Sequence, residues 1–252
     1  MCGRFVLTSP PQEIRVFLGF GEQPNFPPRY NIAPTQPVAV VRLDQGARSF
    51  ALMRWGLLPS WVKDVKAFPT LINARAEGVA TRPAFRAAMR RRRCLVPANG
   101  FYEWQKTDKG RKLPYFIHRA GGGPFAFAGL WETWTGPDGE QLDTTAIVTT
   151  RANRRLAPLH DRMPVVIEPH NFDRWLDAAA NPPETVTDLL VPAPDDVFTA
   201  YPVSTRVNSV ANDDPGLIEP LADPSTPPPT PPAGKRPDRD PGDGGGGQMR
   251  LL

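Results

Sequence analysis

The 252 residues carry 30 Lys and Arg against 26 Asp and Glu, a net charge of +4, and 40% are hydrophobic, enough to bury one large core or two small ones. No uncharged apolar run reaches the roughly 18 residues of a bilayer-spanning helix, and the N-terminal segment lacks a signal-peptide core and cleavage site, so a cytoplasmic protein with no membrane contact is expected. Two cysteines (Cys2, Cys94) and three histidines (His118, His160, His170) show no zinc-like spacing, which argues against a metal site or a disulfide scaffold.

In chain order, Ser9-Pro10-Pro11-Gln12 reads as a capping-box helix start with proline at the first helical position; Ile14, Val16, Phe17 and Leu18 follow, and Gly19 is the stop. Tyr30 to Thr35 reads as a proline-rigidified loop. Strands are expected over residues 38–43, 50–55, 95–97, 101–105, 115–118, 125–131, 144–150 and 165–167, and helices over 83–93, 171–180 with Asn171 as N-cap, and 183–190. Asp108-Lys109-Gly110 and Pro137-Asp138-Gly139 read as turns between antiparallel neighbours. From Ala222 the chain is rich in proline, glycine and small polar residues and has almost nothing apolar to bury, so a disordered tail is expected over 222–252. Asp223, Asp238, Asp240 and Asp243 balance Lys235, Arg236, Arg239 and Arg250 there, which leaves the whole positive surplus upstream. With no internal repeat and no second linker, residues 1–221 form one domain. The expected class is α+β: mainly antiparallel β, a twisted barrel-like sheet core with several short flanking helices.

Position 2 draws the chemical argument. Removal of Met1 leaves a terminal cysteine whose α-amine (pKa about 7.7 to 8.0) and thiol (about 8.5) together make an amine nucleophile, a thiol nucleophile and a five-membered-ring former. Phe101-Tyr102-Glu103-Trp104 sets a carboxylate in an aromatic strand, with Glu103 and Phe101 on one face and Tyr102 and Trp104 on the other. Aromatic surroundings raise a carboxylate's pKa toward neutrality; the plainer reading is a solvent-facing glutamate on a half-buried strand. His160-Asp161-Arg162-Met163-Pro164 lies in a loop between strands, where an arginine beside a titrating imidazole suits a phosphate-bearing substrate. Asn73-Ala74-Arg75-Ala76-Glu77 offers an amide and an arginine at a strand-to-helix junction, where the simpler role is capping. The Arg90 to Arg93 run falls at the end of the helix expected over 83–93, where the dipole favours cations, and reads as a solvated face. Cys94 reads as a buried inert thiol. Trp55-Gly56-Leu57-Leu58-Pro59-Ser60-Trp61 is either a stacking platform for bases or a core corner.

Met1-Cys2-Gly3-Arg4-Phe5, Pro28-Arg29-Tyr30-Asn31-Ile32-Ala33-Pro34, Arg54-Trp55-Gly56-Leu57, Asn73-Ala74-Arg75-Ala76-Glu77, Cys94-Leu95-Val96-Pro97, Gly100-Phe101-Tyr102-Glu103-Trp104 and His160-Asp161-Arg162-Met163-Pro164 together resemble the SOS response-associated peptidase family over roughly residues 2–220. The resemblance implies a monomeric sensor of abasic sites in single-stranded DNA, nucleoid-associated when bound, that needs no cofactor or metal. It crosslinks through Cys2: the amine adds to the C1′ aldehyde of the opened deoxyribose and the thiol closes a thiazolidine, a ring closure helped by effective molarities of about 10⁵ M or more. It places Glu103 beside the amine for proton removal and dehydration, His160 as the acid that opens the sugar, and Asn73 as a hydrogen-bonding hold on the aminothiol. Arg4, Arg75 and Arg162 are assigned to flanking phosphates, and Trp61, Trp104 and Pro34 to stacking or wedging against bases. It also implies an abasic-site lyase side reaction and a self-cleaving peptidase step releasing Met1, for which methionine aminopeptidase is the alternative.

Two rival readings remain. Class II glutamine amidotransferases, which are N-terminal-nucleophile amidohydrolases, also begin Met-Cys-Gly, but no matching glutamine-binding motifs follow here. A single-stranded DNA binding module with an incidental Cys2 accounts for the arginines and leaves Glu103 without a role.

Overall fold

The computed structural model describes residues 2–106 and 110–221. Met1, the first two residues of the Asp108-Lys109-Gly110 turn and the tail from Ala222 lie outside the described residues, and with them the expectations placed on Met1 removal, that turn and a disordered tail.

Thirteen strands and three short α-helices follow one another in the described residues: β1 (Phe5–Leu7), α1 (Pro11–Leu18), β2 (Arg29–Ile32), β3 (Pro37–Asp44), β4 (Ala47–Trp55), β5 (Asn73–Arg75), α2 (Arg86–Arg91), β6 (Arg93–Ala98), β7 (Gly100–Lys106), β8 (Lys112–Arg119), β9 (Phe125–Thr135), β10 (Gln141–Arg151), β11 (Arg162–Pro164), β12 (Val166–Ile167), α3 (Phe172–Leu176) and β13 (Phe198–Pro202). Among these residues no helix is long and apolar enough to cross a membrane.

The larger sheet closes on itself. β3 pairs antiparallel with β4 and β6, β6 with β9 and β9 with β10, and β10 returns to β4 in parallel at Thr144↔Arg54 and Thr145↔Trp55. Closure removes the exposed edges of an open sheet. The β3–β4 hairpin turns through Gln45 (φ 47°) and Gly46 (φ 81°), the double positive φ that matches strand twist in a two-residue loop. β9 and β10 join at the expected Pro137-Asp138-Gly139 turn, with Gly139 at φ 84°.

β10 changes neighbours along its length. After β4 leaves, Ile147, Val148 and Thr149 pair in parallel with Asn73, Ala74 and Arg75 of β5, and Thr149 to Arg151 pair with β11. That far half of β10 carries two of the motifs singled out above.

The second sheet runs β13-β8-β7-β1-β2. Phe5 of β1 joins the sheets, packing edge-on against Trp55 of β4 at 5.2 Å and Phe127 of β9 at 5.9 Å. Such contacts add about 0.5–1.5 kcal/mol beyond area burial. Gly100 is required where β7 begins, since a Cβ there would stand 2.3 Å from the Phe116 ring and 2.8 Å from the Ile117 carbonyl oxygen.

Local expectations are corrected in several places. Helix α1 has Pro10 rather than Ser9 as its N-cap and no side-chain cap; Ser9 instead exchanges hydrogen bonds with Asn99. Gly19 ends it in the left-handed region at φ 69° as expected. The Tyr30 to Thr35 segment begins as strand β2, so only its second half is loop. The helix expected over 83–93 is confined to Arg86–Arg91, and Arg93 opens a strand. Arg93 is 1% exposed, so it is no part of a solvated face. Its guanidinium donates to the carbonyls of Trp175 (2.6 Å), Asp177 (3.1 Å) and Asn181 (2.6 Å), supplying the cation at the C-terminus of α3 instead. α3 stops at Leu176, and residues 183–190 form two 3-10 turns, Pro183–Thr185 and Thr187–Leu189.

Candidate active site

The candidate site lies in the seam between the sheets. β1 and β7 pair antiparallel with Phe5 opposite Phe101, and the Tyr102 N–H donates to the Arg4 carbonyl at 3.0 Å. Continuing that register sets Gly3 opposite Glu103 and brings Cys2 beside it. From the barrel side, Asn73 Nδ2 donates to the Cys2 carbonyl at 2.9 Å, and the buried Asn73 Oδ1 has no hydrogen-bond partner among the described residues. A short polar strand on the far half of β10 thus grips the backbone of the chemically distinctive residue.

Glu103 is 3% exposed, which overturns the solvent-facing reading. Burial raises its pKa above the ordinary carboxylate range, and the Asp161 charge adds to the rise. Cys2 is fully buried. Burial, reinforced by the Glu103 charge, pushes its thiol well up, so the sulfur is held as neutral S–H at pH 7. Cys94 is also buried, with its thiol pushed up to about 12, in keeping with an inert core role.

His160 stands just before β11. Burial holds its pKa below the ordinary imidazole value, with Asp161 opposing and Lys106 acting in the same direction. Its Nδ1 accepts from the Arg162 backbone N–H at 3.0 Å and lies 2.8 Å from Asp161 Oδ1. Charge interactions therefore connect Cys2, Glu103, Asp161 and His160, while Asn73 reaches the same point through a hydrogen bond.

The other sequence-stated residues divide. Arg75 is exposed on β5, two residues from Asn73. The Arg162 side chain is only 11% exposed: its fork is bound by Glu77 at 2.6 and 2.9 Å, and Nη2 also donates to the Thr149 carbonyl at 2.6 Å. Arg4 donates to Asn31 Oδ1 and the carbonyls of Val207 and Asn208, clamping the 205–212 segment onto β2. Trp104 is half-buried, its Nε1 held by Asn208 Oδ1 at 2.8 Å. Trp55 is core, whereas Trp61 is 57% exposed and meets Phe68 edge-on at 5.6 Å. Pro34 sits in the loop after β2, which is tied to the end of β4 by the Thr35 N–H to Trp55 carbonyl bond. Among the described residues, no hydrogen bond or ring contact ties Trp61 or Pro34 to Cys2, Asn73, Glu103 or His160.

Sequence reasoning passed over Glu77, Asp161 and Asn208. The first two sit inside quoted motifs, and their acidic character beside an arginine and a histidine was the available signal. Asn208 left none.

Residues 1–210 match the family described as SOS response associated peptidase (SRAP). The abasic site processing protein YoqW of Bacillus subtilis (strain 168) is 40% identical over 225 residues, covering 87% of this chain and 99% of that protein. The abasic site processing protein HMCES of Gallus gallus is 34% identical over 227 residues, covering 77% of this chain and 66% of that protein. Among solved structures, a protein from Bacteroides thetaiotaomicron superposes with a TM-score of 0.78 at 22% identity, over 87% of this chain and all of that one, and so shares the fold. A phage-related protein from Bordetella bronchiseptica does so with a TM-score of 0.65 at 32% identity, over 80% of this chain and 94% of that one. Sequence motifs, closed barrel and family match converge, and the chain belongs to the SOS response associated peptidase family.

Proposed function

We propose that this protein processes abasic sites in single-stranded DNA by covalent capture on Cys2 after Met1 has been removed. The observation that carries the reading is the grip of Asn73 on the Cys2 carbonyl at 2.9 Å, with the buried, raised-pKa carboxylate of Glu103 alongside. The names of the relatives above, abasic site processing proteins, point to the same substrate class.

The chemistry follows from the side chains. Glu103 takes a proton from the Cys2 ammonium, and a carboxylate raised toward neutrality is suited both to accept that proton and to return it. The amine adds to the C1′ aldehyde to give a carbinolamine, and Glu103 returns the proton as water leaves and the Schiff base forms. The Cys2 sulfur then adds to the same carbon while its proton passes to Glu103, closing a thiazolidine; one water is lost overall. A neutral thiol is the correct starting state, since it is consumed only after the imine exists. His160 supplies the proton that opens the deoxyribose ring. If ring closure fails, the Schiff base acidifies the C2′ protons and β-elimination follows, the lyase side reaction. Attack of the Cys2 thiol on the Met1 carbonyl expels the Cys2 amine and forms a thioester, whose hydrolysis by water is the corresponding route for self-release of Met1.

Exposed Arg75 is the residue assigned to a flanking phosphate. Arg162 joins it when a phosphodiester replaces the Glu77 carboxylate in its fork, which has the same bidentate geometry. Arg4 acts through the segment it clamps, and Trp104, Trp61 and Pro34 are assigned to base contacts.

The test mixes Met1-free protein with a single-stranded oligonucleotide containing one abasic site and resolves the products on a denaturing gel. A shifted band that requires both Cys2 and the abasic site is expected. Absence of that band with Met1 verifiably removed would overturn the reading and direct the assay to glutamine hydrolysis.

A further inference from the structure

The two partners of His160 Nδ1 make opposite demands on it. The Arg162 backbone N–H at 3.0 Å needs a lone pair there, which fixes the neutral ring with its proton on Nε2. The Asp161 carboxylate, in ion-pair contact at 2.8 Å, favours a proton there. The same nitrogen thus has an N–H donor hydrogen-bonded to it and a carboxylate within ion-pair range, two partners that favour states differing by one proton. We propose that Asp161 is a positioning residue that takes the Nδ1–H of the His160 imidazolium and leaves Nε2 as the nitrogen exchanging a proton with the deoxyribose.

The inference rests on the capture reading and assigns a residue to its sugar-opening step. The imidazolium gives its Nε2 proton to the ring oxygen as the C1′–O bond breaks, and the C1′ hydroxyl proton passes through Glu103 to water as the aldehyde forms, leaving the carboxylate ready for the Cys2 ammonium. Nδ1–H remains on Asp161 throughout, so the neutral ring that results has its lone pair on Nε2 and can be reprotonated there. With the Arg162 N–H as partner instead, the ring keeps Nε2–H without a positive charge, a far weaker acid. A carboxylate that orients and stabilises an imidazolium without itself being protonated is an established catalytic arrangement.

The charged surroundings set the size of the effect. Burial and Lys106 at the end of β7 disfavour the imidazolium, and Asp161 opposes them. Glu103 on β7 feels the Asp161 charge as well, and the Arg162 guanidinium is neutralised by Glu77. Because the Asp161 side chain is 85% exposed, solvent screening keeps its coupling to His160 small.

The experiment has a DNA-free arm and a DNA arm. In the DNA-free protein, ¹⁵N NMR of His160 is followed through pH in the wild type, Asp161→Asn and Asp161→Glu. Asp161→Asn should lower the His160 midpoint by about half a unit, and Asp161→Glu should restore part of it. In the DNA arm, single-turnover crosslinking to a saturating abasic oligonucleotide should slow about threefold on the alkaline side of that midpoint in Asp161→Asn, with the pH profile displaced to match. Coincident His160 titrations in the wild type and Asp161→Asn would overturn the proposal, as would a displaced titration with an undisplaced pH profile. If the wild type forms no crosslink at all, the capture reading fails, and the NMR arm still decides whether Asp161 controls His160.

Discussion

Replacing Asn73 with alanine isolates the contact on which the site is built. The wild-type bond is a well-formed 2.9 Å N–H···O contact from Nδ2 to the Cys2 carbonyl. A bond of this kind contributes about 1 kcal/mol net, and a buried acceptor left without a donor costs about 1–3 kcal/mol. Among the described residues Asn73 Oδ1 has no hydrogen-bond partner, so truncation removes no further bond there and the loss of fold stability stays near the low end of that range. About 1 kcal/mol corresponds to a fall in Tm of roughly 2–4 °C for a domain of this size. The larger effect belongs in the rate, because this bond orients the backbone that carries the reacting amine: a loss of about 1.4 kcal/mol slows crosslinking roughly tenfold. The assay is single-turnover crosslinking at saturating abasic oligonucleotide, beside the affinity for an intact oligonucleotide. Asn73→Asp, which sets a carboxylate oxygen against the carbonyl oxygen, should be at least as slow. A lowered Tm with crosslinking at the wild-type rate would refute the argument and leave Asn73 a purely structural residue.

Glu103→Gln should slow crosslinking by about 10² or more, the usual worth of a positioned acid–base group, while making the folded protein more stable at pH 7. The sign follows from burial: the native state holds the Glu103 proton more tightly than the unfolded chain, so wild-type stability falls as pH rises from the unfolded value of about 4.3 through the raised folded value. Urea unfolding of both proteins should therefore agree most closely below about pH 4 and separate above it. Arg75→Ala should reduce the salt slope of binding to intact single-stranded DNA by about 0.7 without changing the crosslinking rate at saturation. Glu77→Gln, which frees the Arg162 fork, should tighten the same binding. Arg93→Ala leaves the Trp175, Asp177 and Asn181 carbonyls without their donor and should cost about 3 kcal/mol or more in urea unfolding, with crosslinking by the folded fraction unchanged.

The long strands were legible because they alternate and end at turn residues: β3, β4, β9 and β10 all extend by a few residues beyond the expected runs. The short strands that build the site were not. β1 is buried at all three positions and so shows no alternation, β5 is the polar Asn73-Ala74-Arg75, and β11 ends in proline. Arg93 misled for a related reason: a cation at the end of a helical pattern reads as solvent-facing, and only the fold supplies the three carbonyls that make its burial tolerable. Cys2, Asn73, Glu103 and His160 stood out by residue type and motif. Their convergence depends on β10 exchanging β4 for β5, a long-range pairing that no local pattern encodes. The same holds for the Glu77 carboxylate in the Arg162 fork, 85 residues away, whereas the two partners of His160 Nδ1 are its own sequence neighbours.

The most direct test of the central claim is the intact mass of the adduct between Met1-free protein and an abasic oligonucleotide, measured with and without borohydride. The account predicts a Cys2-dependent mass equal to protein plus oligonucleotide less one water, unchanged by borohydride because the thiazolidine carbon is no longer an imine. A borohydride-dependent adduct, which would mark a Schiff base that never closes, or the same adduct in Cys2→Ser, would contradict it.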